Sequence, residues 1–162
     1  MPTDNAAFEA AFGQVSAFLD ERVGHALFTV SRVLPGGTQV ERIYSSMPAN
    51  YPVGGTGQVD DTEWTLQMAR GEIFVANAPE HFGPHFHNLA TIVSEGFGAV
   101  INIPVHLGER LLGTLNLLDR TGAYVGDVLP PCRAARKLAV AAYLEYEKSR
   151  AQLQLLPTQK ST

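Results

Sequence analysis

Three histidines crowd one short stretch, Glu80-His81-Phe82-Gly83-Pro84-His85-Phe86-His87-Asn88. His81 and His85 have the spacing that stacks two imidazoles on one face of a helix, and His85 and His87 have the spacing that aligns two rings on a strand. Gly83 and Pro84 fall between the first pair, which argues against a regular helix there. A zinc centre needs three or four ligands and hydrogen-bonded groups behind them. The single cysteine, Cys132, lies far along the chain. No metal is expected. His85 and His87 are carried as candidate ligand contacts, with ordinary loop histidines as the alternative.

A second group offers hydrogen bonding rather than acid–base power. The segment Ser45 to Gly55, SSMPANYPVGG, is a shaped Pro/Gly loop with Tyr51 near its apex. Long non-repetitive loops in small domains often carry function. Tyr51 and Trp64 could wall an aromatic pocket, their hydroxyl and indole N–H orienting a ligand. Trp64 could equally anchor its segment on the core. Before the loop, Arg42, Tyr44 and Ser46 alternate on one side of a strand, with Ile43 and Ser45 on the other. Arg42 reads as an exposed strand charge; Tyr44 and Ser46 join the candidates.

Two amides complete the set. The segment Ala99 to Leu118, AVINIPVHLGERLLGTLNLL, is two apolar runs around a turn at Leu107 to Arg110, the pattern of a buried β-hairpin. Asn102 and Asn116 sit inside these runs. A buried amide without a partner costs about 1–3 kcal/mol. Either the protein satisfies both or they line a pocket. With Ser46 they would make a neutral hydrogen-bonding floor, suited to a small polar ligand.

Catalytic signatures are sparse. No Gly-x-Ser-x-Gly elbow surrounds Ser45 or Ser46, and no phosphate-cradling Gly-x-x-x-x-Gly-Lys occurs. Asp60, Asp61 and Glu63 read as helix-capping acids. Cys132, near a helix start, reads as a packed structural thiol.

The elements that must position these residues are legible from periodicity. Phe8, Phe12, Val15, Phe18 and Leu19 mark a first helix over Ala6–Val23, capped by Thr3 or Asp4. His25–Leu34 and Thr38–Ser46 form a hairpin around Pro35-Gly36-Gly37. Met47–Asp60 reads as one long loop. Asp61 or Thr62 caps a helix carrying Trp64 and Met68, which Gly71 ends. Ile73–Ala76 is a short strand, Asn77–Phe86 irregular, and Asn88–Glu95 a short helix. The Ala99–Leu118 hairpin precedes a long helix, Cys132–Gln154, with Leu138, Ala141, Ala142 and Leu144 on its apolar side. Hairpin-joined strands are antiparallel. The expected architecture is α+β: a central antiparallel sheet of five or six strands, terminal helices on one face and a loop-and-helix insertion over the other.

The chain has 162 residues, 45% of them hydrophobic, which fits one domain over 1–156 and a flexible tail at 157–162. Its net charge of −4 and scattered Lys and Arg argue against a nucleic-acid partner. Arg133, Arg136 and Lys137 read as a solvated face. No stretch approaches the ~18 apolar residues of a membrane span, and the N-terminus does not read as a signal peptide. A cytoplasmic protein with no membrane partner is expected.

This order of elements, with GAVINIPVHLGERLLGTLNLL and the long final helix as its strongest marks, resembles the GAF domain, a small-molecule-sensing relative of the PAS fold, over roughly Asp4 to Arg150. RIYSSMPANYPVGG followed by TEW is similar to a group of short free-standing bacterial GAF proteins. The resemblance implies a ligand cavity between the sheet and the 47–95 insertion, and a homodimer through terminal helices. The family's uses include cyclic nucleotides, bilins, haem, metabolites and reduction of free methionine sulfoxide. The Asn-Lys-Phe-Asp-Glu set of the cyclic-nucleotide branch is absent, and one cysteine cannot run a disulfide cycle. The expected function is a small-molecule sensor with no cofactor. A small metabolite-converting enzyme on the same scaffold is the alternative.

Overall fold

The computed structural model describes residues 5–83 and 89–155. The cap positions Thr3 and Asp4, and His85 and His87, lie outside the described residues. Six strands form one sheet in the order β3-β2-β1-β6-β5-β4, every neighbouring pair antiparallel. The strands are β1 (Leu27–Val33), β2 (Gln39–Ser45), β3 (Thr56–Gln58), β4 (Phe74–Ala76), β5 (Ala99–Leu107) and β6 (Arg110–Asp119). The first hairpin forms as its sequence implies. β3 was not foreseen: a three-residue edge strand inside the long loop, pairing with the start of β2.

Helices α1 (Asn5–Arg22) and α4 (Leu129–Leu155) pack side by side on one sheet face. Phe8, Phe12, Val15 and Leu19 turn inward from α1. Opposite them α4 presents Cys132, Ala135, Ala139 and Ala142, then Tyr143 and Tyr146. Small residues let α4 approach, and the Phe12 and Tyr143 rings meet edge to face at 5.3 Å. The expected apolar side of α4 needs correction. Only Ala142 of its four residues is buried; Leu138 and Leu144 stand 41% and 43% exposed. Burial follows the alanine-and-tyrosine stripe because that stripe fits under the sheet.

Gly113 is where the layers come closest. The Tyr143 hydroxyl donates to the Ser31 carbonyl at 2.6 Å, beside Gly113. A Cβ there would stand 1.8 Å from that carbonyl oxygen and 2.6 Å from the hydroxyl, so only glycine fits.

The opposite face carries α2 (Glu63–Arg70), a 3₁₀ turn at Pro79–His81 and α3 (Leu89–Ser94). The Thr62 hydroxyl accepts the Thr65 amide at 3.3 Å as N-cap, and Gly71 ends α2 in the left-handed region at φ 80°. A second small core, of Leu27, Phe82, Ile92, Phe97, Val100 and Leu118, closes one end of this face. Terminal helices on one face and the insertion on the other give the α+β architecture expected from sequence.

Candidate functional site

A cleft opens between the sheet and α2. Strand register arranges its floor in rows. Phe74, Asn102, Asn116, Thr29 and Ser45 lie side by side across five strands. The next row holds Pro104, Thr114, Ser31 and Arg42, and the row on the other side holds Ala76, Val100, Leu118 and Leu27.

The polar row is bonded in one direction. Trp64 Nε1–H donates to Asn102 Oδ1 at 3.0 Å, Asn102 Nδ2–H to Asn116 Oδ1 at 2.9 Å, and Asn116 Nδ2–H to Thr29 Oγ1 at 3.3 Å. The Thr114 hydroxyl also donates to Asn116 Oδ1 at 3.0 Å and lies 2.7 Å from Ser31 Oγ. An indole can only donate, so the atom facing Trp64 must be an oxygen. That orients Asn102, and Asn102 in turn orients Asn116. Asn102, Thr29 and Thr114 are buried. The protein supplies hydrogen-bond partners to both amides, and both border the cleft.

Two adjoining compartments, of about 400 and about 370 Å³, share Ser31, Val40, Gln58, Trp64 and Thr114. These volumes suit small molecules. The first runs under α2, past Met68, Val33 and Leu111, and reaches Asp60. The second holds Asn102, Asn116, Thr29, Tyr51 and Arg42. Tyr51 closes its rim: its hydroxyl donates to Glu95, and its ring stands 6.2 Å from that of Phe97.

Tyr51, Trp64, Asn102 and Asn116 thus come together, whereas Tyr44 and Ser46 do not. A β-bulge in β2 explains the miss. Val30 pairs with Tyr44 but Ser31 pairs with Arg42, leaving Ile43 as the extra residue. The alternation breaks there, so Arg42 turns to the cleft and Tyr44 to the helices. Tyr44 packs near the rings of Phe12 and Phe28, and burial with Glu9 nearby raises its pKa, holding it neutral. Ser46 lies past the strand end, where its hydroxyl accepts the Phe28 amide at 2.9 Å. Arg42 is no exposed strand charge: it is half-buried, and desolvation lowers its pKa. The polar alternation Thr29, Ser31 and Thr114, Asn116 was the available signal for the floor residues missed from sequence.

Other candidates resolve into structural roles. Ser45 Oγ accepts the Met47 amide at 3.1 Å. Cys132 is buried on the helix side, away from the cleft, and desolvation pushes its thiol up to about 11. Arg136 leaves the solvated face assigned to it and donates to the Gly71 carbonyl at 2.6 Å. Among the described residues no three His, Cys, Asp or Glu side chains converge to hold a metal. No described helix is long and apolar enough to cross a membrane.

No known family profile matches the chain, and no curated protein matches it in sequence. Solved structures do match in shape. The GAF domain of a two-component sensor histidine kinase from Bacillus halodurans superposes with a TM-score of 0.66 at 9% identity, covering 88% of this chain and 95% of that one. The red/green cyanobacteriochrome NpR6012g4, in its red light-absorbing state, gives 0.64 at 19% identity, covering 86% and 96%. The second GAF domain of DevS from Mycobacterium smegmatis gives 0.59 at 12% identity, covering 92% and 99%. The chain has the GAF-domain fold.

Proposed function

We propose that this chain is a sensory GAF domain that binds a small molecule in the cleft between the sheet and the 47–95 insertion. The observation that carries this reading is the oriented ladder Trp64–Asn102–Asn116–Thr29 along the floor of the hollow. Asn116 accepts from two neighbours and donates only one amide hydrogen to a described group, and it is not fully buried. Its second amide hydrogen is therefore available to a ligand. Neutral amides and hydroxyls select by hydrogen-bond pattern and supply little nucleophilic power, which favours sensing over turnover.

A route from cleft to output is also supported. Ser31 lines the cleft through its side chain, and its carbonyl accepts the Tyr143 hydroxyl of α4. A ligand that shifts β1 would move α4, whose outward Leu138 and Leu144 are suited to pairing with a second copy as a cytoplasmic homodimer. A thermal-shift screen with metabolites tests the proposal. The expected hit raises the unfolding temperature of the native chain and loses about tenfold or more in affinity in Asn116→Leu. No hit, or hits indifferent to Asn116→Leu, would overturn it.

A further inference from the structure

The compartment beneath Tyr51 holds a charge that the neutral floor leaves unexplained. The Arg42 guanidinium has five N–H donors. One Nη1–H donates to the Pro52 carbonyl at 3.3 Å, and the group lies 5.6 Å from the Tyr51 ring. No ion pair among the described residues includes it, whereas Arg32 pairs with Glu41 at 2.8 Å, Arg70 with Glu63 and Glu72, and Arg110 with Glu147. A half-buried cation without a counter-charge is costly until an anion reaches it. Gly55 lies beside it: a Cβ there would stand 3.4 Å from Nη1.

The floor is graded along the strands. Arg42, Ser31 and Thr114 form one row, Thr29, Asn116 and Asn102 the next, and Leu27, Leu118 and Val100 the third. Successive rows on one face are about 7 Å apart. Charge, amide and apolar surface therefore follow one another over about 14 Å.

Resting on the ligand-site reading above, we propose that this compartment takes a small monocarboxylate. Its carboxylate meets Arg42, its middle passes over Asn116, and its apolar end lies on Leu27, Val100 and Leu118. Charge balance favours a monoanion over a phosphate ester. Arg42 is the one cationic residue among the described residues lining either compartment, and Asp60 lines the adjoining one. A planar carboxylate also matches the guanidinium fork.

Isothermal titration of the full chain with 4-phenylbutyrate and indole-3-propionate, their carboxamides, and phenyl phosphate tests this. Each acid should bind about tenfold or more tighter than its amide, and Arg42→Gln should cut that ratio to about twofold or less. Arg42→Lys, which keeps the charge, should retain a reduced preference. Equal affinity for acid and amide, or a preference that survives Arg42→Gln, overturns the role of Arg42 while leaving the cleft a binding site. Tighter binding of phenyl phosphate than of either acid overturns the carboxylate assignment. No binding by any probe counts against both the inference and the ligand-site reading.

Discussion

Replacing Gly113 with alanine is the sharpest test of how the floor is held. The added Cβ would fall 1.8 Å from the Ser31 carbonyl oxygen and 2.6 Å from the Tyr143 hydroxyl. The carbonyl is backbone in β1, directly paired with β6, so it cannot swing aside like a flexible side-chain tip. Either β1 moves off β6 or the Tyr143–Ser31 bond breaks. Overpacking in a dense core costs about 1–3 kcal/mol. Leaving a buried hydroxyl and carbonyl unpaired adds about 1–3 kcal/mol. The expected loss is about 2–6 kcal/mol, or about 4–24 °C in Tm. Gly57→Ala is the control, because its Cβ meets only a Val40 methyl at 3.7 Å; its cost should stay below about 1 kcal/mol. Urea unfolding reads both, and a Gly113→Ala variant that fails to fold agrees with the larger figure. A Gly113→Ala loss no larger than that of Gly57→Ala would refute the close-approach account.

Other expectations follow from the same contacts. The buried tyrosines Tyr143 and Tyr124, together with Cys132, all have raised pKa values from desolvation. Such groups stabilise the fold fully below their unfolded pKa values and lose that contribution as pH rises. Urea midpoints should therefore fall above about pH 9, where the unfolded thiol and then the phenols ionise first; rising alkaline stability would contradict this. With its thiol pushed up to about 11 and buried, Cys132 should resist a thiol reagent at neutral pH until urea unfolds the chain. Prompt labelling of the native protein would show that the packing is wrong. Thr62→Ala removes the α2 cap and should cost about 1 kcal/mol, with faster amide exchange in the helix that carries Trp64. Unchanged exchange there would deny the cap its role.

Much of this was legible in the sequence because periodicity and turn chemistry report local geometry. The Phe8–Leu19 stripe, the Pro35-Gly36-Gly37 hairpin and the paired Asn102 and Asn116 could be placed before any coordinates. What could not be read depends on register. One extra residue at Ile43 put Arg42 and Tyr44 on opposite faces, and no local pattern announces such a bulge. The strand Thr56–Gln58 was hidden because three exposed residues around Gly57 are too short to show an alternation, and glycine disfavours strands; pairing with β2 makes it. In α4 the leucines are among the most apolar residues, yet tertiary fit buries the alanines and tyrosines instead.

The proposed seat of the ligand is the Trp64–Asn102–Asn116 ladder. Its most direct test is a ¹⁵N-labelled NMR titration with a ligand from the thermal-shift screen, following the Trp64 indole N–H and the side-chain amides of Asn102 and Asn116. Saturable shifts of these signals together, ahead of any elsewhere in the chain, are expected. Saturable shifts confined to α1 and α4, with the three ladder signals unmoved, would contradict it.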